Sequence, residues 1–428
     1  MRASLIVLTI TIASTSVLLL KADDTTTSTV SAADVSAGDW PWWRGPTRDG
    51  VAAAGQTPPT EWSATENVVW KTPISGKGHA SPIVVGVRVY LPTADEAAQT
   101  QSVLCFDRHS GEPVWTTVVH EGGLSDKGNK RTTQASSTLA CDGERLFVNF
   151  LNRDAVSTTA ISCDGEQLWQ RKISDYVVHQ GYGSSPLIAG PLVIVIADNK
   201  SGGAMMGLER ETGEIVWQHE RPEKPNYPSP ILLTIDGKER LIQVGCDLVS
   251  CFDPLTGEKV WETEGATTEC VTSTVSDGEH LYTSGGYPKN HVSAVRVDGS
   301  GEVAWENSVR VYVPSMLVKD GYLYAVTDAG VAMCWKSDTG EEQWKGRLGG
   351  TFNASPVRVG ETIYAINEAG TTFLFEATPD KFTMLGENSI PGEVYATPVF
   401  VGSRIYMRIA EDHDGTRQEM LYCLGKRE

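Results

Sequence analysis

What this 428-residue sequence lacks narrows its chemistry first. No two of its eight cysteines are adjacent and no Cys-x-x-Cys pair occurs, so neither a zinc ribbon nor an attached haem is indicated. The histidines (His79, His109, His120, His179, His219, His280, His291 and His413) show no metal-binding spacing and no local link to a nucleophile. Lysine and arginine never run longer than two, and 36 of them against 54 acidic residues leave a net charge of −18. The basic footprint of a nucleic-acid binder is missing, so no nucleic acid is expected as a partner. Past residue 20 there is no apolar run of membrane-spanning length and no sustained helical period, so no membrane span is expected in the mature chain.

The first twenty residues stand apart. Arg2 precedes an apolar stretch over residues 3–20, diluted by Ser and Thr, and Lys21 with two aspartates follows. This is the pattern of an export signal, with small-residue cleavage sites at Val30-Ser31-Ala32 and Val35-Ser36-Ala37; an uncleaved anchor is the alternative. Residues 22–38 are too polar to bury and read as a linker. The chain therefore divides into a signal peptide and low-complexity linker over 1–37, a lead-in segment over 38–65 and a repeating array over 66–428. The expected location is periplasmic or extracellular.

The array announces itself by one phrase: Gly111-Glu112-x-x-Trp115, and likewise up to Trp169, Trp217, Trp261, Trp305 and Trp344. Before each comes a small residue with Ser or Thr opening an apolar run: Ser81-Pro82, Ser137-Thr138, Ser185-Pro186, Ser229-Pro230, Ser273-Thr274, Ser315-Met316, Ser355-Pro356 and Thr397-Pro398. Short strand-like segments such as YLYAVT and TIYAIN fill the intervals, separated by glycine turns. Four short strands in each unit of about 40–45 residues predict a propeller. The fold class is all-β: eight four-stranded antiparallel blades. Glycine in the phrase supplies a positive φ for a tight hairpin, and the Trp that follows is expected to cover the gap to the next blade. The last unit stops one strand short, while residues 67–74 carry a strand ending no unit of their own and containing Trp70, so this N-terminal strand is expected to close the ring. A closed ring predicts a monomer.

Cys105, Cys251, Cys334 and Cys423 occupy one place in successive repeats, where a small buried strand residue suffices. The remaining local disulfide is Cys246 with Cys251. Asp412-x-Asp414-Gly415 resembles part of a calcium loop, but Ala410 and Leu421 stand where carboxylates are needed, so a solvated hairpin tip is expected.

The tandem units ending in Thr-Gly-x-x-x-Trp resemble the PQQ-like (pyrroloquinoline quinone) propeller repeat over roughly 66–428, and Trp40-Pro41-Trp42-Trp43-Arg44-Gly45 is similar to a lead-in found in exported members. The resemblance covers two groups, quinoprotein alcohol or sugar dehydrogenases and a non-enzymatic propeller of the outer-membrane β-barrel assembly machinery. The first group implies a quinone held by an adjacent-cysteine disulfide and a Trp, with Ca²⁺ and an Asp base. Without the cysteine pair, the leading expectation is a binding scaffold of the cell envelope without cofactor; PQQ with Ca²⁺ as in a dehydrogenase is the alternative. In a propeller, residues entering each innermost strand ring the channel mouth. These are His79, Gln134, Tyr182, Tyr227, Glu269, Tyr312, Asn353 and Tyr395, and a protein, small-molecule or carbohydrate partner is expected there. Glu269 and Glu393 would make that mouth acidic, favouring a basic or hydroxyl-rich partner.

Overall fold

The computed structural model describes residues 35–426; the expected signal peptide lies outside the described residues. The described chain contains no helix, and its strands run from β1 (Val68–Ile74) to β32 (Thr416–Leu424). They form eight antiparallel four-stranded sheets, the blades of a propeller ring. Blade 1 is β2 (Ile83–Val85), β3 (Arg88–Asp95), β4 (Thr100–Asp107) and β5 (Pro113–Glu121), hydrogen-bonded in that order from the channel outward, and blades 2–7 repeat it. Blade 8 is β30 (Val399–Val401), β31 (Arg404–His413), β32 and then β1, so the N-terminal strand closes the ring. The register runs from Val68 opposite Leu424 to Ile74 opposite Glu419. Across this seam Arg408, buried, is paired with Glu419 and donates to the Pro92 carbonyl at 2.7 Å, tying blade 8 to blade 1. The Asp412–Gly415 segment is the β31–β32 hairpin tip, where the Gly415 amide donates to Asp412 at 2.8 Å.

The tryptophan phrase shows how neighbouring blades interlock. Each indole lies against the phrase glycine, or its turn, in the following blade: an added Cβ on Gly213 would stand 2.6 Å from Trp169, and one on Gly257 2.7 Å from Trp217. Both glycines have positive φ, +71° and +72°, which the hairpin requires. The indole nitrogens of Trp70, Trp115, Trp169, Trp217, Trp305 and Trp344 each donate to a carbonyl of that next turn at 2.7–3.1 Å. Trp261 instead rests on Gly299. Within its own blade the tryptophan faces a small residue across the strand pair: Cys105 opposite Trp115, Cys251 opposite Trp261, Cys334 opposite Trp344, Cys423 opposite Trp70 and Gly207 opposite Trp217. That pairing explains the recurrent cysteines, since a bulkier side chain would displace the indole. All eight thiols are free. Cys246 turns its thiol toward Asp198 and the Lys224 carbonyl, away from Cys251, and the thiols that approach each other are Cys141 and Cys163, 4.0 Å apart.

Blade 7 has no repeat tryptophan; Gly386 stands at that register opposite Leu374. The lead-in segment fills the place. Asn388 accepts the Trp62 amide at 2.9 Å and donates to the Thr60 carbonyl, and Trp62 stacks on Tyr364 with interplanar angle 10°.

Candidate functional site

Eight hydroxyl residues, one per blade and each two positions before an innermost strand, surround the channel: Ser81, Thr138, Ser185, Ser229, Ser273, Ser315, Ser355 and Thr397. Backbone amides link them around the ring: the amides of Ser81, Thr138, Ser185, Ser273, Ser315 and Ser355 each donate to the next blade's hydroxyl at 2.9–3.1 Å. A hydroxyl that accepts an amide still carries its own proton, so the belt is a ring of available O–H donors.

One end of the channel is closed by the lead-in segment. It runs along the far ends of the innermost strands, bonding backbone at Val84, Cys141, Ile188, Met316, Arg358 and Gly402, in six different blades. Arg44, fully buried, donates to the Met316 and Asp49 carbonyls; burial pulls its pKa down to about 10. Trp43 projects into the channel and donates its indole N–H to the Ser273 hydroxyl at 2.8 Å. It floors a well of about 550 Å³, within the range of small-molecule sites.

Above the belt, the wall is set by residues two positions before each belt member: His79, Ser136, Gly183, Tyr227, Val271, Val313, Asn353 and Tyr395. Five of the eight residues expected from sequence therefore come together, namely His79, Tyr227, Tyr312, Asn353 and Tyr395. The other three do not line the well. Gln134 props a loop, donating to the Ser125 carbonyl at 2.7 Å while its own carbonyl accepts Gln101. Tyr182 is buried behind the wall, its hydroxyl donating to the Ile196 carbonyl at 2.8 Å, with one edge on a side lobe. Glu269 is buried 3.1 Å from His179. The residue two before the belt lines the well in every blade; Gln134 and Glu269, four before it, do not, and of the two at an offset of three Tyr312 does and Tyr182 does not.

The mouth is not acidic as expected, since Glu269 faces His179 and Glu393 pairs with Arg417 at 3.0 Å. Its rim carries arginines. Arg131, on the long loop after blade 1, pairs with Glu368 of blade 7 at 2.5 Å and lies 5.8 Å over the Tyr395 ring. Arg310 lies 4.9 Å over Tyr312, whose amide is accepted by Asp328 at 2.8 Å. The same loop is pinned to blade 3 by the Asn129 amide, which donates to Gln180 at 3.0 Å. Asn353 donates to Glu368. His79 stacks on Tyr395 at 4.1 Å, and burial, reinforced by Arg408 and Lys77, pushes its pKa down to about 3, so the ring is neutral. Burial likewise pushes the Tyr312 phenol up to about 12.

A calcium-quinone centre makes a specific demand on the donors of such a well. Calcium takes six to eight oxygen ligands with carboxylates among them. Asp328 is the one carboxylate in the wall among the described residues, and it is engaged by the Tyr312 amide; Glu368 is engaged by Arg131 and Asn353. No cysteine lines the well, and no three His, Cys, Asp or Glu side chains gather for a metal among the described residues. The residues present do not fit that group.

A family model described as outer membrane protein assembly factor BamB matches residues 20–124, 99–346 and 288–380. The chain belongs to the BamB family. This BamB-family propeller is similar in fold to BamB from Moraxella catarrhalis, with 14% identity over 83% of this chain and 96% of that one and a TM-score of 0.59. It is also similar in fold to a europium-containing methanol dehydrogenase (11% identity, 91% and 98% covered, TM-score 0.65). A quinohemoprotein alcohol dehydrogenase from Comamonas testosteroni gives 13% identity, 92% and 82% covered, and a TM-score of 0.64. Identities this low carry the fold alone. No curated protein sequence matches the chain.

Proposed function

We propose that the protein is an exported binding propeller of the cell envelope that captures its partner at the open mouth of the well and catalyses no redox reaction. The observation that carries this reading is the well itself: closed at one end by Trp43 and walled by side chains converging from separate blades on a rigid ring. Its residues supply contact surface and hydrogen bonds. Tyr227 and Tyr312 offer large area at low entropic cost, and Asn353 and the belt hydroxyls offer donors. The one histidine in the wall, His79, is held neutral against Tyr395 with no nucleophile bonded to it among the described residues, a poor arrangement for acid–base work. The experiment is partner capture by the purified, tagged chain. Tyr227→Ala and Tyr312→Ala should each lose the partner while melting like the parent. Retention by both variants moves the binding surface elsewhere.

A further inference from the structure

Resting on that reading of the well, we propose that its ligand is an acidic sugar, with the anionic group taken by the rim guanidiniums of Arg131 and Arg310 and the hydroxylated ring set in the wall below. In a chain of net charge −18, this mouth carries two arginines, and its carboxylates are already engaged, Glu368 by Arg131 and Asn353 and Asp328 by the Tyr312 amide. Each is held by an aromatic face, Arg131 over Tyr395 and Arg310 over Tyr312, so the forked donors are oriented before a ligand arrives. Arg131 is already shared with Glu368, whereas no hydrogen bond or ion pair engages Arg310 among the described residues, which makes Arg310 the stronger anion contact. A guanidinium fork matches carboxylate and phosphate oxygens in the same way.

The wall selects the rest of the ligand. Belt hydroxyls, Ser136 and Asn353 set hydrogen-bonding groups among the apolar and aromatic surfaces of the lining, in which Val271 and Val313 are the aliphatic members, too few to receive an acyl chain. Rings at Tyr227 and Trp43 give such a ligand flat apolar edges to lie against. A hydroxylated ring bearing a negative charge satisfies both the donors and the rim.

Isothermal titration of the whole purified chain with digalacturonate, glucose 6-phosphate and maltose separates the possibilities. The expected result is binding of at least one acidic probe, with maltose and the Arg310→Gln variant each weaker by about tenfold or more, the scale of one charge-assisted hydrogen bond. Preference for digalacturonate over the phosphate identifies a carboxylate source, and the converse a phosphate. Arg310 is exposed, so its variant should melt with the parent. Equal binding of maltose, or no loss in Arg310→Gln, overturns the acidic-ligand assignment and leaves the well as a binding site. Binding of none of the three overturns the sugar assignment, while the capture experiment on Tyr227→Ala and Tyr312→Ala decides the broader reading independently.

Discussion

Trp217→Ala probes the contact that joins blade 3 to blade 4. The side chain is 8% exposed, its indole donates to the Pro254 carbonyl at 3.0 Å, and its ring covers Gly257. Truncating a buried aromatic costs about 3–5 kcal/mol, the lost hydrogen bond falling within that range. For roughly 390 folded residues at about 2.1 cal/mol/K each, the unfolding entropy is near 0.8 kcal/mol/K, so ~4 kcal/mol lowers the melting midpoint by ~5 °C. Trp261→Ala should cost less, because Trp261 is only half-buried and no hydrogen bond from its indole to the next blade accompanies it among the described residues. A second substitution isolates the interlock. Gly257→Ala introduces a Cβ at φ +72° and 2.7 Å from the Trp217 ring, combining backbone strain of about 1–2 kcal/mol with a clash. In the Trp217→Ala background the clash disappears and the strain remains. Calorimetry on the parent, the two single variants and the double variant gives the coupling. Equal cost of Gly257→Ala in both backgrounds, or a Trp217→Ala shift under ~1 °C, would refute the blade-to-blade role.

Two further perturbations follow from the same geometry. Deleting residues 61–75 removes β1 and Trp62 and exposes the edge of β32; the chain should lose solubility and melt well below the parent, and a midpoint within a degree or two would place ring closure elsewhere. His79 makes the fold acid-sensitive: its pKa is near 3 when folded and about 6.5 unfolded, so between those values only the unfolded chain takes the proton. Stability contributed by the neutral ring is full above about pH 6.5 and falls toward pH 3, by at most ~1.4 kcal/mol per unit. The gap between urea midpoints at neutral and mildly acid pH should narrow in His79→Gln, which removes this share and leaves those of His291, pulled down to about 4, and His120, also lowered by burial; an unchanged acid loss would contradict the assignment.

The blades were legible because their signals are local. A positive-φ glycine four residues before a tryptophan marks the outer hairpin in six of the eight blades, as in Gly213 to Trp217 and Gly257 to Trp261. The recurrent cysteines read correctly as buried strand residues, though the reason, that each faces an indole, is a cross-strand fact. The site was half legible. His79, Tyr227, Asn353 and Tyr395 sit two residues before the belt, but Gln134 and Glu269 sit four before it, and Ser136, Gly183, Val271 and Val313 are wall residues the sequence expectation lacks. Blade 2 concealed the rule, since its belt member is Thr138 and not Ser137, and a one-residue slip turns every side chain to the other face. An offset of four before each innermost strand, two before the belt, finds the wall. Trp43, Trp62 and Arg131 have no such signal, since each reaches its place by crossing to a blade far away in sequence, and Arg310 has none either, being a lone basic residue two positions before Tyr312.

The well is proposed to bind and not to oxidise. Its most direct test is dye-linked turnover of simple alcohols and aldoses by the purified chain supplied with PQQ and Ca²⁺. No turnover above a protein-free control is expected, because Asp328, the one carboxylate in the wall among the described residues, is engaged by the Tyr312 amide, and calcium needs six to eight oxygen ligands with carboxylates among them. Robust turnover abolished by Asp328→Asn or Asn353→Ala would contradict it and make the protein a quinoprotein dehydrogenase.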